Sequence, residues 1–165
     1  MKIAVVSDTH MPHMAKYLPR KLVEGLQDAD YILHAGDWTT LDVYDELQLF
    51  APVDGVAGNN DGMEIVRKFG YAKIVAFGSK RIGIVHGHGA AGTTEERAYH
   101  AFKSEKVDCI IFGHSHVPVM KEIGGILMFN PGSPTDKRRQ PQYSYGWLEI
   151  SDKLKARHIF YDDKY

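Results

Sequence analysis

Three short, β-rich runs, KIAVVS (2–7), YILHAG (31–36) and VDGVAG (53–58), each end in polar or glycine residues, with helical spacing between them. That alternation reads as βαβαβ. The first helix is expected from about Leu18 to Leu26, with Leu18, Leu22, Val23 and Leu26 on one face and Pro19 near its start. The second is expected over about Thr40 to Phe50, where Val43, Leu47 and Phe50 recur at helical spacing. Thr93 and Glu96 fit a capping box for a further helix, TEERAYHAFKSE, with Ala98, Ala101 and Phe102 toward the core. The second half is richer in strands. IVAFGSKRIGIVHG (74–87) reads as two strands joined by GSK, and DCIIFG, VPVMKEI, GILMFN, YGWLEI and KARHIFYD follow. Parallel βαβ units followed by hairpins suggest an α/β fold, a four-layer α/β/β/α sandwich of two mixed sheets flanked by helices.

With 165 residues and no repeat, low-complexity tract or proline-rich linker, the chain is expected to form a single domain over residues 1–165. A chain of that size buries roughly 70% of the surface it exposes when unfolded. Acids and bases nearly balance, at a formal net charge of −1. The pI near 6.7 lacks the basic surplus with which dedicated nucleic-acid binders neutralise phosphates. The single cysteine, Cys109, sits in DCIIF and reads as a small core residue, so no intrachain disulfide forms. MKIAVVSD reaches an acid too soon for a signal peptide, and no apolar run is long enough to span a bilayer. A cytoplasmic location is expected.

Nine histidines are the compositional oddity, and four of them form the pairs His86/His88 and His114/His116. In an extended chain, residues two apart face the same way at about 6.6 Å, so each pair can converge on one site. Five strand ends carry such chemistry: Asp8 and His10, Asp37, Asn59 to Asp61, His86 and His88, and His114 and His116. Ligands in open α/β sheets collect at the carboxyl ends of strands. Taken singly, each block has a plainer reading as a turn or a cap, and Asp61, three residues before Glu64, suits the N-cap of a helix over about 62–68. Taken together, they share one explanation, because ordinary turns seldom favour imidazole. That explanation is metal binding.

The ordered blocks D-x-H, G-D, G-N-x-D, H-G-H and G-H-x-H, followed by N-P-G-S at Asn130 to Ser133, resemble those of the calcineurin-like metallophosphoesterases. The likeness spans residues 3–133, and the short length is most similar to the small prokaryotic phosphodiesterase branch. The resemblance implies two divalent metal ions. Asp8, His10 and His116 would bind one, Asn59, His86 and His114 the other, and Asp37 would bridge them. Imidazole, carboxylate and amide ligands suit manganese, iron, zinc or nickel, and manganese is placed first. The implied activity is hydrolysis of a small phosphate ester, foremost a phosphodiester, by in-line attack of a hydroxide held at the two-metal centre. Asp37 and Asn59 would then serve catalysis as well as metal binding.

Where many relatives have a histidine near the leaving group, this chain has Asn60, which cannot act as an ordinary general acid. His88 is the alternative residue near the substrate. His34 reads as a core histidine or an orienting group, and His13, His100 and His158 carry no motif. Lys137, Arg138 and Arg139 read as a solvated loop, or as a contact for substrate phosphate if that loop folds over the cleft. Two other functions compete. One is a catalytically silent scaffold for protein interaction, as in the retromer subunit with this fold. The other is the same site acting on phosphomonoesters, phosphoproteins or dinucleoside polyphosphates. Oligomeric state is left open by these patterns.

Overall fold

In the computed structural model, which describes residues 1–165, the chain runs β1 (Lys2–Val6), α1 (Arg20–Leu26), β2 (Tyr31–His34), α2 (Leu41–Gln48), β3 (Val53–Gly55) and α3 (Met63–Phe69). The second half continues β4 (Ala72–Phe77), β5 (Lys80–Val85), α4 (Thr94–Ala101), β6 (Cys109–Ile111), β7 (Val119–Ile123), β8 (Ile126–Asn130), β9 (Tyr143–Ile150) and β10 (Leu154–Tyr161). Two five-stranded sheets result, in the orders β10-β9-β1-β2-β3 and β4-β5-β6-β8-β7. Both are mixed: β1–β2, β2–β3, β5–β6 and β6–β8 are parallel, while β1–β9, β9–β10, β4–β5 and β7–β8 are antiparallel.

Period-two alternation within strands creates the layers. Ile3 and Val5 of β1 pack between the sheets with Leu33, Ile82, Ile84, Cys109, Ile111 and Phe129. Ala4 and Val6 face the other way, onto Leu22, Leu26, Val43, Leu47, Ile65 and Phe69 of the first three helices. Ile110 and Met128 point outward from the second sheet, under Ala98 and Phe102 of α4 and its end. The order is therefore helices, sheet, sheet, helix. A strand covered on both faces reads as an unbroken apolar run, and KIAVV does. Each fully buried Ile, Leu or Val contributes about 1.5–3 kcal/mol relative to exposure, and Ile3, Val5, Leu33, Ile82 and Ile84 are all fully buried. Cys109, also fully buried, has its thiol pKa pushed up by burial. No helix is long and apolar enough to cross a membrane.

The capping box at α4 forms as expected: Thr93 Oγ1 accepts from the Glu96 amide and Glu96 Oε2 accepts from the Thr93 amide, each at 3.2 Å. The expected N-cap at Asp61 does not. α3 starts after Gly62, and the Asp61 side chain makes no cap bond to it. Its carboxylate accepts instead from the amides of Asp37, Thr39 and Gly58, each at 2.8 Å. Three donors from the loops after β2 and β3 outcompete one helix terminus.

Candidate metal centre

The carboxyl ends of β1, β2, β3, β5 and β6 deliver the histidine, aspartate and asparagine side chains to one place. Asp8 and His10 follow β1, Asp37 follows β2, Asn59 follows β3, His86 follows β5, and His114 and His116 follow β6. Two groups face each other there. Asp8, His10 and His116 form one, Asp37, His86 and His114 the other, with the ligand-type atoms of each within 4.8 Å of one another. Asp37 Oδ2 lies between them, 3.6 Å from His10 Nε2 and 3.2 Å from His86 Nε2. Asp8 Oδ1 stands 3.7 Å from the Nε2 atoms of His10 and His86 and 3.4 Å from that of His116. Asn59 Oδ1 approaches His114 Nδ1 at 3.1 Å.

The outward-facing atoms of these side chains are tied down, which leaves the inward ones free. His86 Nδ1–H donates to the Ala35 carbonyl at 2.7 Å and His116 Nδ1–H to the Asp136 carbonyl at 2.6 Å, so each ring, when neutral, turns its Nε2 lone pair inward. Asp8 Oδ2 accepts from Ser7 Oγ at 2.7 Å and from the His114 amide at 3.0 Å. Asp8 Oδ1 and His86 Nε2 are buried without a hydrogen-bond partner. Leaving such atoms unpaired costs about 1–3 kcal/mol each, and a cation at each group would satisfy them. Spacing agrees with this. Ligand atoms on one ion at bonds of about 2.1 Å stand about 3.0–3.4 Å apart, and His10 Nε2 to His116 Nε2 is 3.3 Å. The donor set fits divalent ions.

Backbone strain concentrates at the same loops. Asp8, His10, Asp37, Thr39, His114 and His116 have φ between 43° and 81°, and Arg138 at 48° is the only other non-glycine residue with positive φ. Asp and His visit this region more readily than most residues, yet each instance costs of order 1–3 kcal/mol. The surroundings hold them there. Asp8 N donates to Gly36 O at 2.9 Å, while Ser133 Oγ and Thr135 Oγ1 donate to the Asp8 and Thr9 carbonyls at 2.8 and 2.6 Å. Gly113 permits this approach, because a Cβ there would overlap Ser7 Oγ and Asp8 Oδ2.

Electrostatics follow from the crowding. Burial opposes ionisation of Asp8, but contacts with His10 and His116 and the charge of His86 hold its carboxyl well below the usual carboxylate range. Asp37, also disfavoured by burial, is lowered by its contact with His86 and by the Asn60 amide. Burial favours a neutral His86, yet Asp37 and Asp8 outweigh it and raise the ring to about 8. His10 is raised in the same way, chiefly by Asp8. His114 and His88 are lowered, first by burial and then by the charge of His86. The paired carboxylates thus favour positive charge on the imidazoles beside them.

Of the residues singled out from the sequence, Asp8, His10, Asp37, Asn59, His86, His114 and His116 converge. His88 stands at the rim, its ring centroid 5.5 Å from that of His86 and 6.3 Å from that of His114, with Nδ1 buried and unpartnered. Asn60 turns to Asp37, donating its backbone amide to Oδ1 at 2.9 Å and its side-chain amide to Oδ2 at 3.3 Å. His34 is fully buried and stacked on Trp38 at 3.8 Å; it accepts from the Gly36 amide at Nδ1 and pairs with Thr9 through Nε2. It positions the Asp37 turn. His158 packs on Phe129 and bonds the Asn130 carbonyl, away from the centre. Sequence reasoning passed over Ser7, Thr135 and Asp136 and gave Asp61 only a capping role, yet all four brace these side chains. Only Asp61, which closes the G-N-x-D block, carried a signal.

Fold and donor set define a phosphoesterase of the calcineurin-like class. The calcineurin-like phosphoesterase superfamily domain matches residues 1–153, and the chain belongs to that family. It is 37% identical over 142 residues to a probable metallophosphoesterase of Methanothermobacter thermautotrophicus, an alignment covering 84% of this chain and 80% of that one. It is 32% identical over 148 residues to a phosphodiesterase of Methanocaldococcus jannaschii, covering 80% and 83%. In three dimensions it is similar to Vps29 of Entamoeba histolytica in its complex with zinc, with a TM-score of 0.78, 27% identity, and 97% and 99% of the two chains covered.

Proposed function

We propose that this phosphoesterase is a metal-dependent phosphodiesterase with a two-ion centre. Asp8, His10 and His116 hold one ion, Asn59, His86 and His114 the other, and Asp37 joins them. The observation that carries this reading is the pair of facing ligand groups around Asp37, with Asp8 Oδ1 and His86 Nε2 buried and unpartnered. Two divalent ions bound there supply an activated water and positive charge for the phosphate in the transition state. The protein's part is positional. Nδ1–H bonds fix the tautomers of His86 and His116, Ser7 and Asp61 fix the Asp8 and Asp37 loops, and Asn60 orients the Asp37 carboxylate.

The reading is tested by metal content after purification and by hydrolysis of bis(p-nitrophenyl) phosphate against p-nitrophenyl phosphate with Mn²⁺, Fe²⁺, Zn²⁺ and Ni²⁺. Faster turnover of the diester supports it. Preference for the monoester replaces it with a phosphomonoesterase, and a metal-free, silent protein across the panel points to a scaffold.

A further inference from the structure

Beside the metal centre runs a groove of about 410 Å³ lined by Ser115, Val117, Lys137, Arg138, Arg139 and Gln140. It opens from the metal loop itself, since Ser115 lies between His114 and His116. Three of its six lining residues are cations and none is an acid, in a protein whose formal net charge is −1.

Elsewhere on the surface several cations are paired. Arg20, Lys21, Lys73, Arg81, Lys121 and Arg157 each lie within ion-pair distance of an acid. Arg138 is anchored, its Nη1 donating to the His114 carbonyl at 3.4 Å and its Nε lying 3.9 Å from Asp136 Oδ2. Asp136 also faces His116 Nδ1 at 3.7 Å, so its charge is engaged on the metal side. Neither Lys137 nor Arg139 has a carboxylate within 4.0 Å; Lys137 lies 5.7 Å over the Tyr143 ring.

The loop bearing them is held in place. Ser133 and Thr135 bond the Asp8 and Thr9 carbonyls, Asp136 O accepts from His116, and a bond from the Gln140 amide to Lys137 O at 2.9 Å closes the turn. A groove on a held loop, with Lys137 and Arg139 free of carboxylates, next to a phosphate-hydrolysing centre suits an anion, and charge-assisted bonds of this kind are about twice as strong as neutral ones.

Resting on the phosphodiesterase reading above, we infer that the natural substrate carries a second phosphate, bound by Lys137 and Arg139 while the scissile diester lies at the metal centre. Nucleotide-like diesters with an additional phosphomonoester belong to this class. The groove's volume and its continuity with the His114 loop suit a group on the same small molecule.

The test uses the Mn²⁺-supplemented protein and a matched pair of nucleotides. Calorimetry compares thymidine 5′-phosphate with thymidine 3′,5′-bisphosphate, and kinetics compare their 5′-(p-nitrophenyl) esters, which share a leaving group. The wild type is expected to bind the bisphosphate about tenfold more tightly, equivalent to about 1.4 kcal/mol, and to show a similarly lower KM for its ester. Raising salt shrinks the difference. In the Lys137→Ala/Arg139→Ala double variant the ratio falls toward one. Equal affinities in the wild type, or a ratio that survives in the double variant, overturn the inference. Failure to turn over either ester defeats the phosphodiesterase reading, while the binding ratio still reports on the groove.

Discussion

Asp37 offers one carboxylate to both halves of the centre, and its loss removes a ligand and a negative charge from each. Asp37→Ala is expected to weaken binding of both ions by more than about 100-fold, beyond what an outer hydrogen-bond partner alone contributes. His116→Ala is expected to weaken mainly the ion shared with Asp8 and His10. Metal titration of the two apoproteins checks this, and two tightly held ions in Asp37→Ala would rule out the bridge. A second consequence concerns the leaving group. With Asn60 engaged on Asp37, the G-N-x-D block presents no acid where many relatives have histidine, and a placed acid contributes roughly 10²–10⁴-fold. Rates should therefore climb steeply as leaving-group pKa falls, across a graded series of phosphodiesters. A flat wild-type series, with chemistry rate-limiting, means that a proton donor exists, and a steeper slope in His88→Ala identifies it as His88. The converging side chains were legible because imidazole and carboxylate recur at strand ends. Ser7, Thr135 and Asp136 were not, because a serine, a threonine or a backbone carbonyl can bond almost any nearby loop, and nothing local in the sequence says which.

Strands could be read more reliably than helix ends. β1 shows itself in KIAVV because both its faces are buried, whereas α2 and α4 stop short of the apolar residues that seemed to continue them. Past Gln48 the Leu49 side chain is 82% exposed, and turn bonds such as Phe50 N to Leu47 O replace the helical ladder. Ala101, expected toward the core, is exposed, and past it, up to Lys106, only Phe102 is buried; the bonds from Lys103 N to His100 O and from Glu105 N to Phe102 O do the same, under the exposed side chains of Lys103 to Lys106. The connector between β8 and β9 has a role that composition hid. N-P-G-S closes the series of blocks in the sequence, and in the structure its Ser133 grips the Asp8 backbone from behind. Gly132 makes that turn at φ 75°, with Ser144 and Pro118 against the space a side chain would take. Gly132→Val combines the left-handed penalty of about 1–2 kcal/mol with overpacking of about 1–3 kcal/mol. It is expected to lower the unfolding midpoint and, by loosening Ser133, to weaken metal binding. Unchanged stability and turnover would remove any structural importance from that glycine.

At the scale of the molecule, the four layers followed from the order of elements, while the pairing of β9 with β1 followed from no local pattern. Stability should carry the mark of the buried histidine beneath the Asp37 turn. Burial lowers His34 from 6.5 to about 3, so the unfolded chain binds a proton there that the folded one refuses. A depressed histidine pKa places its full stabilisation above the unfolded value of about 6.5. The contribution is then lost as pH falls toward 3, at up to about 1.4 kcal/mol per unit. Denaturant melts of the apoprotein at successive pH values are expected to show this decline, with His34 still neutral at pH 5 by imidazole nitrogen NMR; a protonated ring at pH 5 contradicts it. The tether from Ser133 to Asp8 bears on how the protein is made. Those residues are 125 positions apart, and a ribosome adding about 5–20 residues per second leaves roughly 6–25 s between their syntheses. Throughout that interval the nascent chain displays Asp8 and His10 without the serine, threonine and β9 contacts that keep them in shape. Metal capture therefore belongs to the nearly completed polypeptide, and a ribosome-stalled chain ending before Asn130 should emerge without its ions.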